Sequence, residues 1–512
     1  MLRTKPVANP LYDALFAPLA GRGDGVLLLP GGGTITGAEI AAQTARIAGA
    51  LGAAGVTAGE RVVVQVAKSP AFLALYGATL ATGAVLLPLN TAYTAAETGY
   101  FIADAAPRVV IVDPARAEAI APHAAAAGAQ VLTLDAAGGG SLAEAAAAMP
   151  ATFAPVARDA DDLAALLYTS GTTGRSKGAM LTQRNLLSNA EVLADLWGFG
   201  AEDVLLHALP VFHTHGLFVA TNIALLSRAR MIWLPGFDLE TLIAEMPRAS
   251  VLMGVPTFYT RLLDDPRLDR ALTAGMRLFV SGSAPLLAET HRAFAERTGQ
   301  AILERYGMTE TNMITSNPLR GERRAGTVGQ PLPGVELRIT DPETGRTLAP
   351  GETGMIEVRG PNVFRGYWRM PEKTAAEMRA DGFFVTGDLG VQGADGYVAI
   401  VGRARDLIIS GGFNIYPKEV ELILDDQPGV VESAVVGVPH PDFGEAVLAI
   451  LVPEAGRAPD LGAIRAALAE NLARFKQPKD ILIAEALPRN AMGKVQKAEL
   501  RARHAGHFTK GT

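Results

Sequence analysis

The sequence predicts an α/β protein in which parallel sheets covered by helices are followed by an antiparallel β unit and then by a small α+β module. Three observations carry this expectation. Through roughly the first 300 residues, short β-branched runs alternate with longer Ala/Leu-rich stretches, the pattern of strands joined by crossover helices. From Val335 the run "VELRITDPETGRTLAPGETGMIEVRG" breaks into short alternating segments separated by "DPETG" and "PGETG" turns, which reads as antiparallel pairing. After "GRARDLIISGGF" the chain changes again, to a helical stretch over 417–426, two apolar strands and a helix from about 460.

Taken in order, "RVVVQVA" (61–67) and "AVLLPLN" read as strands around the helical "SPAFLALYGATLATG", and "RVVIVD" (108–113) and "QVLTLD" (130–135) continue the series. The alanine-rich "APHAAAAGAQ" and "AAGGGSLAEAAAAMP" read as surface helices broken by glycine, because alanine favours helix. In the last hundred residues "ESAVVGV" and "AVLAILV" are the two strands. A boundary near Arg405 divides the chain into 1–404 and 405–512. No internal repeat is visible.

Composition excludes several classes of function. With 512 residues, 49% apolar and 19% charged, there is material for more than one core. The net charge of −6 gives no concentrated basic face, so nucleic acid is not an expected partner. Cysteine is absent, which removes disulfides, thiolate metal sites and a cysteine nucleophile together. "VLLLP" and "AVLLPL" are far shorter than the roughly 20 residues that cross a bilayer, and the N-terminus lacks the apolar run of a secretory signal. A cytoplasmic protein without membrane partners is expected, and oligomeric state is not legible.

The stretch "LLYTSGTTGRSKGAML", Leu166 to Leu181, has the composition of a phosphate cradle. A Walker loop needs Gly, four residues, then Gly-Lys-Ser/Thr; here Gly171 is followed after four residues by Ser176, so that pattern fails. Backbone N–H groups with the hydroxyls of Thr169, Ser170, Thr172 and Thr173, and the charge of Lys177, still suit phosphate oxygens. A plain surface turn fits the same residues.

With its flanks, "YTSGTTGRSKGAMLTQRNL" resembles the phosphate-binding signature of the acyl-adenylate-forming superfamily, which includes acyl-CoA synthetases, adenylation domains and luciferases. Further matches follow in order: "SGSAPL" (281–286), "ERYGMTET" (304–311), "FFVTGDLG" (383–390), "VGRARDLIISGGFNIYPKEVE" (401–421) and "LPRNAMGKVQKAEL" (487–500). The resemblance covers nearly the whole chain. It implies a large N-terminal domain of parallel sheets with a β-barrel-like subdomain, a small mobile C-terminal domain, and the substrates ATP and coenzyme A with Mg²⁺. It also implies residue roles. Thr169, Ser170, Gly171, Thr172, Thr173, Gly174 and Lys177 would hold phosphate. Ser283 and Ala284, and Glu304, Arg305, Tyr306, Gly307, Met308 and Thr309, would line the nucleotide. Asp388 would accept the ribose hydroxyls beside Arg403. Glu310 would ligate Mg²⁺, and Lys494 would bridge the carboxylate and the α-phosphate. Arg405, where relatives more often carry Asp or Lys, would be the hinge. Gly411 and Gly412 would leave a tunnel for the pantetheine arm.

The acid is read from "HALPVFHTHGLFVATN", "GVPTFYTRLL" and "LFVSGSAPLLAETHRAF", which resemble the malonate–CoA ligases of that superfamily. His213 matches the position between the acyl and thiol channels, and His215 is expected only to pack. A dicarboxylate needs a cation for its second carboxylate, and arginine grips one with two hydrogen bonds. Arg292 is the first expectation, Arg261 the second, with Ser281 beside them. Malonate or a similar small dicarboxylate is therefore the expected acid, with methylmalonate or another short acid as the alternative. More distant alternatives are loading of a carrier protein and a non-catalytic nucleotide binder.

Overall fold

The computed structural model describes residues 9–169, 176–410, 413–472, 474–490 and 493–508. A six-stranded sheet runs Gln130–Thr133, Val109–Val112, Arg61–Gln65, Val85–Pro88, Leu163–Thr169, Lys177–Thr182. Its first five strands are parallel and the last pair is an antiparallel hairpin. The strands lack polar alternation because both faces are covered: Val62, Val63 and Val64, and Val109 to Val112, are buried.

A second sheet has nine strands, in the order Gln330–Pro331, Asn312–Ser316, Leu303–Met308, Leu278–Ser281, Val251–Gly254, Val204–His207, Arg230–Trp233, Gly25–Leu28, Thr34–Thr36. The six from Leu303–Met308 to Gly25–Leu28 are parallel. The helix Pro70–Ala81 is apolar all round, and residues 71 to 81 are buried on every side. Ser69 caps it, its Oγ accepting from the Phe72 N–H at 3.2 Å, and Pro70 supplies the first turn with a φ already helical.

Four antiparallel strands, Glu336–Thr340, Thr353–Arg359, Phe384–Gln392 and Val398–Arg403, make the separate β unit. The "DPETG" turn closes as expected: the Asp341 carboxylate accepts from the N–H groups of Glu343 and Thr344 at 3.0 and 2.8 Å.

The last unit is built on Phe413–Ile415, Ile408–Ser410, Gly444–Pro453 and Val430–His440, with Asp480–Ile483 beside Gly444–Pro453. Alternation along its long strands makes two cores. Val435, Val447, Ala449 and Leu451 pack with Val420, Leu424, Ile464 and Leu468 of the helices Pro417–Asp425 and Leu461–Asn471. Val436, Leu448 and Ile450 face the other way, toward Leu500 of the helix Lys497–Arg503. Among the described residues, no helix is long and apolar enough to cross a membrane.

Candidate active site

The parallel strands of the nine-stranded sheet deliver the site from their carboxyl ends, where open α/β sheets place ligands. Val204–His207 leads into the segment bearing His213 and His215, Leu278–Ser281 into Gly282 and Ser283, and Leu303–Met308 carries Glu304, Arg305 and Tyr306.

One part of this site is a group of buried polar atoms without partners. The Arg305 side chain is buried, and its Nε and Nη2 meet no acceptor. Its guanidinium lies against the backbone of Gly282, where a β-carbon would displace it. Burial pushes the guanidinium down to about 9, and the nearby Tyr259 and Glu304 offset only part of that cost. Burial, with Arg305 adding to it, holds His213 and His215 neutral, with His213 pushed down to about 4. His215 shares Nδ1 with the Ser283 hydroxyl at 3.2 Å, while its Nε2 has no partner; the buried Ser281 Oγ has none either. His215 therefore does more than pack. Ser283 is held at φ +71, in the left-handed region that a non-glycine residue seldom adopts.

A second part is held by pairs between its own side chains. The Tyr306 hydroxyl donates to Asp388 Oδ2 at 2.5 Å, and Arg403 Nε pairs with Asp388 Oδ1 at 2.7 Å. Strand register brings this about, since Asp388 and Arg403 are direct cross-strand partners. Glu310 is buried and accepts from the Tyr367 hydroxyl at 3.0 Å; burial raises its carboxyl. The same hydroxyl lies 2.7 Å from Glu377. Lys177 sits 4.1 Å over the Tyr367 ring and 3.4 Å from Glu377, so the lysine expected to serve phosphate is close to Glu310. Burial pushes Glu304 up to about 8, leaving it a neutral acid at pH 7 with Oε2 unpartnered. Gly307, Met308, Thr309 and Ala284 are half-buried beside these groups. Thr169 pairs with Lys177 across the hairpin, whereas Ser170, Gly171, Thr172, Thr173 and Gly174 lie outside the described residues.

The small unit contributes Lys494. Its turn is closed by the Lys494 N–H on Asn490 Oδ1 at 3.0 Å, and neighbouring Gly493 approaches Thr257 of the large unit. Burial pushes the Lys494 ammonium down to about 8; Arg403 pushes the same way and Asp388 against it. Lys494 also acts electrostatically on His213, so the structure brings together the lysine, the histidine and the Asp388–Arg403 pair. Arg405 is exposed in the short turn Ala404–Asp406 between the two units, and its neighbour Asp406 is tied to Arg501 at 2.8 Å. Gly411 and Gly412 lie outside the described residues.

Neither expected carboxylate anchor is among the buried groups. Arg292 is 61% exposed and lies 3.9 Å from Asp426 of the small unit. Arg261 is exposed on the helix Pro256–Asp264 and stacks over Phe237. Helical position alone did not tell which face each side chain takes, and both take the solvent face. Arg305, expected among the nucleotide residues, is buried at the site instead. Lys68 and His207 escaped the sequence reading, because nothing in "VVVQVAKSP" marks its lysine as buried.

Residues 17–368 match the AMP-binding enzyme family, and residues 419–494 match the AMP-binding enzyme C-terminal domain. The crystal structure of ATP-bound MatB from Rhodopseudomonas palustris is 55% identical, covers 98% of this chain and 99% of its own, and superposes with a TM-score of 0.96. Feruloyl-CoA synthase of Amycolatopsis sp is 37% identical over 477 residues, 92% of this chain and 94% of that protein. Malonate–CoA ligase of Arabidopsis thaliana is 36% identical over 477 residues, 86% of this chain and 78% of its own length.

Proposed function

The chain belongs to the AMP-binding enzyme family as an adenylate-forming acid–CoA ligase, and on that premise we propose that its acid is malonate or a small acid with a second negative charge. The observation that supports this most is the buried Arg305 guanidinium with Nε and Nη2 unpartnered, beside the unpartnered Ser281 Oγ and His215 Nε2. An uncompensated buried cation is costly, and a carboxylate offering two oxygens removes the cost by a bidentate pair. An aryl or fatty tail would add apolar surface and leave the charge unpaired. Arg305 thus replaces Arg292 and Arg261 as the anchor of the distal carboxylate.

The reaction has two displacements. An oxygen of the reacting carboxylate attacks the α-phosphorus of ATP, the bond to the β-phosphate bridging oxygen breaks, and pyrophosphate leaves. The coenzyme A thiolate then attacks the acyl carbon, the bond to the AMP oxygen breaks, and AMP leaves with the thioester formed. Both reactants of the first step are anions, so preorganised positive charge sets the rate. Lys494 supplies it where carboxylate and α-phosphate meet, with Thr309 as an added donor. Asp388 receives the ribose, positioned by Tyr306 and Arg403. Lys177 and Thr169, with the motif residues 170–174, would serve the departing phosphates. His213, neutral at pH 7, stands between acid and thiol. Ser283, Ala284, Glu304, Gly307 and Met308 line the nucleotide. We place the domain boundary at Arg405, so that the small unit turns about it between steps and brings Gly411 and Gly412 to the pantetheine arm.

Glu310 fits a Mg²⁺ that arrives with the triphosphate. Among the described residues no three His, Asp or Glu side chains converge to hold a metal alone, so the triphosphate would supply the remaining ligands beside Glu310. Bound there, the ion would neutralise phosphate charge. Glu310 itself is kept in place by the Tyr367 hydroxyl at 3.0 Å.

The test is coenzyme-A-dependent formation of AMP and pyrophosphate with malonate, methylmalonate, sulfoacetate, acetate, propionate and ferulate. Malonate should exceed acetate in kcat/KM by more than about tenfold, or about 1.4 kcal/mol of transition-state binding. A leading monocarboxylate would remove the second-anion reading while leaving the ligase chemistry in place.

A further inference from the structure

Away from the reacting groups, the structure holds a buried ammonium that pairs with no carboxylate. Lys68 follows the strand Arg61–Gln65 of the six-stranded sheet, yet its Nζ crosses to the end of Val204–His207 in the other sheet. There it donates to His207 Nδ1 at 2.8 Å, the His207 carbonyl at 2.7 Å and the Leu209 carbonyl at 3.0 Å. The face of Trp233 lies 4.4 Å away. Three acceptors match the three protons of an ammonium, and an aromatic face adds attraction for the charge.

The second ring nitrogen extends the link. His207 Nε2 is 3.0 Å from both the Gly216 carbonyl and Thr221 Oγ1, and the Thr221 hydroxyl donates to the same carbonyl at 2.8 Å. With Nδ1 accepting from the ammonium, Nε2 carries the proton and donates to these oxygens. A neutral amine has two protons for these three acceptors, so the charged form alone meets all of them, although burial opposes it. The segment between these anchor points, from Leu209 to Gly216, contains His213 and His215. It closes tightly, because a β-carbon on Gly216 would collide with the Pro210 carbonyl. The Leu217 N–H bonds the His213 carbonyl at 3.0 Å, which continues the restraint into the helical turns His215–Thr221.

We infer that Lys68 is a positioning residue for acid binding: through His207 and the carbonyls of Leu209 and Gly216 it sets where His213 and His215 stand, touching no substrate itself. This rests on the reading that those histidines and Arg305 line the acid pocket. Lys68→Met removes the charge and all three donors, and Thr221→Val removes only the hydroxyl on Gly216. Each is assayed with the acid the parent enzyme prefers, and ATP binding is measured separately by calorimetry without acid. Lys68→Met raises the acid KM about tenfold or more and leaves the ATP Kd within about twofold; Thr221→Val moves the acid KM the same way by a few-fold. An acid KM within about twofold of the parent in both variants overturns the inference, as does a proportionate loss of ATP and acid binding in both, since a merely structural lysine gives that. The underlying site reading has its own test. If Arg305→Met leaves the acid kinetics unchanged, that reading falls; an unaffected Lys68→Met leaves it standing.

Discussion

Two arginines near this site, Arg305 and Arg403, are held in opposite ways. Arg403 pairs with Asp388 at 2.7 Å, and that carboxylate also receives the Tyr306 hydroxyl. Arg305 is buried more completely, yet two of its nitrogens have no acceptor. Neighbouring negative charge raises the Arg403 guanidinium against its burial, whereas burial dominates at Arg305 and pushes it down. A paired cation is finished by the fold, and an unpaired buried one is finished by a ligand. On the proposed function, the difference separates a ribose and phosphate region already paired from an acid pocket that takes an anion.

The comparison can be broken most directly at its paired member. Arg403→Met leaves Asp388 buried without its paired cation, and should lower unfolding free energy by roughly 3 kcal/mol while weakening ATP binding. An unchanged denaturation midpoint would show that Asp388 does not depend on the pair. Gly282→Ala comes next, because the methyl group displaces the Arg305 guanidinium; the malonate KM should rise about tenfold or more with the ATP KM nearly constant. Tyr306→Phe removes one hydrogen bond to a charged partner and should raise the ATP KM about tenfold, roughly 1.5 kcal/mol, without altering the preference among acids.

Proton dependence sharpens the account of Lys494. Its ammonium is pushed down to about 8, and the proposed first step uses the charged form. Adenylation should therefore hold through pH 7 and fall as pH rises through about 8, followed by pyrophosphate release in single turnovers. A rate still rising at pH 9 would show that the neutral amine acts instead. The smallest effect belongs to Arg292→Ala. This residue is 61% exposed, and an exposed ion pair contributes about 0–1 kcal/mol, so acid kinetics should stay within about twofold.

Much of the architecture was legible because it follows from local pattern. Strands buried on both faces had to be continuous apolar runs, as "RVVIVD" is, and the "DPETG" turn carried its own Asp341 closure. The lysine of "NAMGK" and the aspartate of "TGDLG" were picked out by motif position, and the fold brings them near one another. What could not be read was the direction of single side chains. Arg292 and Arg305 are both arginines within short polar stretches; one lies on the exposed face of a helix and the other on a strand of the nine-stranded sheet, against Gly282. Lys68 was hidden for a related reason. Its partners His207 and Leu209 are about 140 residues away in sequence, on the other sheet, and no local pattern encodes that meeting.

The central claim is best tested by comparing the parent with Arg305→Met in kcat/KM for malonate and for propionate, with thermal unfolding measured on both without ligand. The account predicts that malonate use falls about 100-fold or more and the preference over propionate collapses, while the unfolding temperature does not drop, because a buried unpaired charge has been removed. A variant that keeps its malonate preference, or one that loses stability as Arg403→Met does, would contradict it.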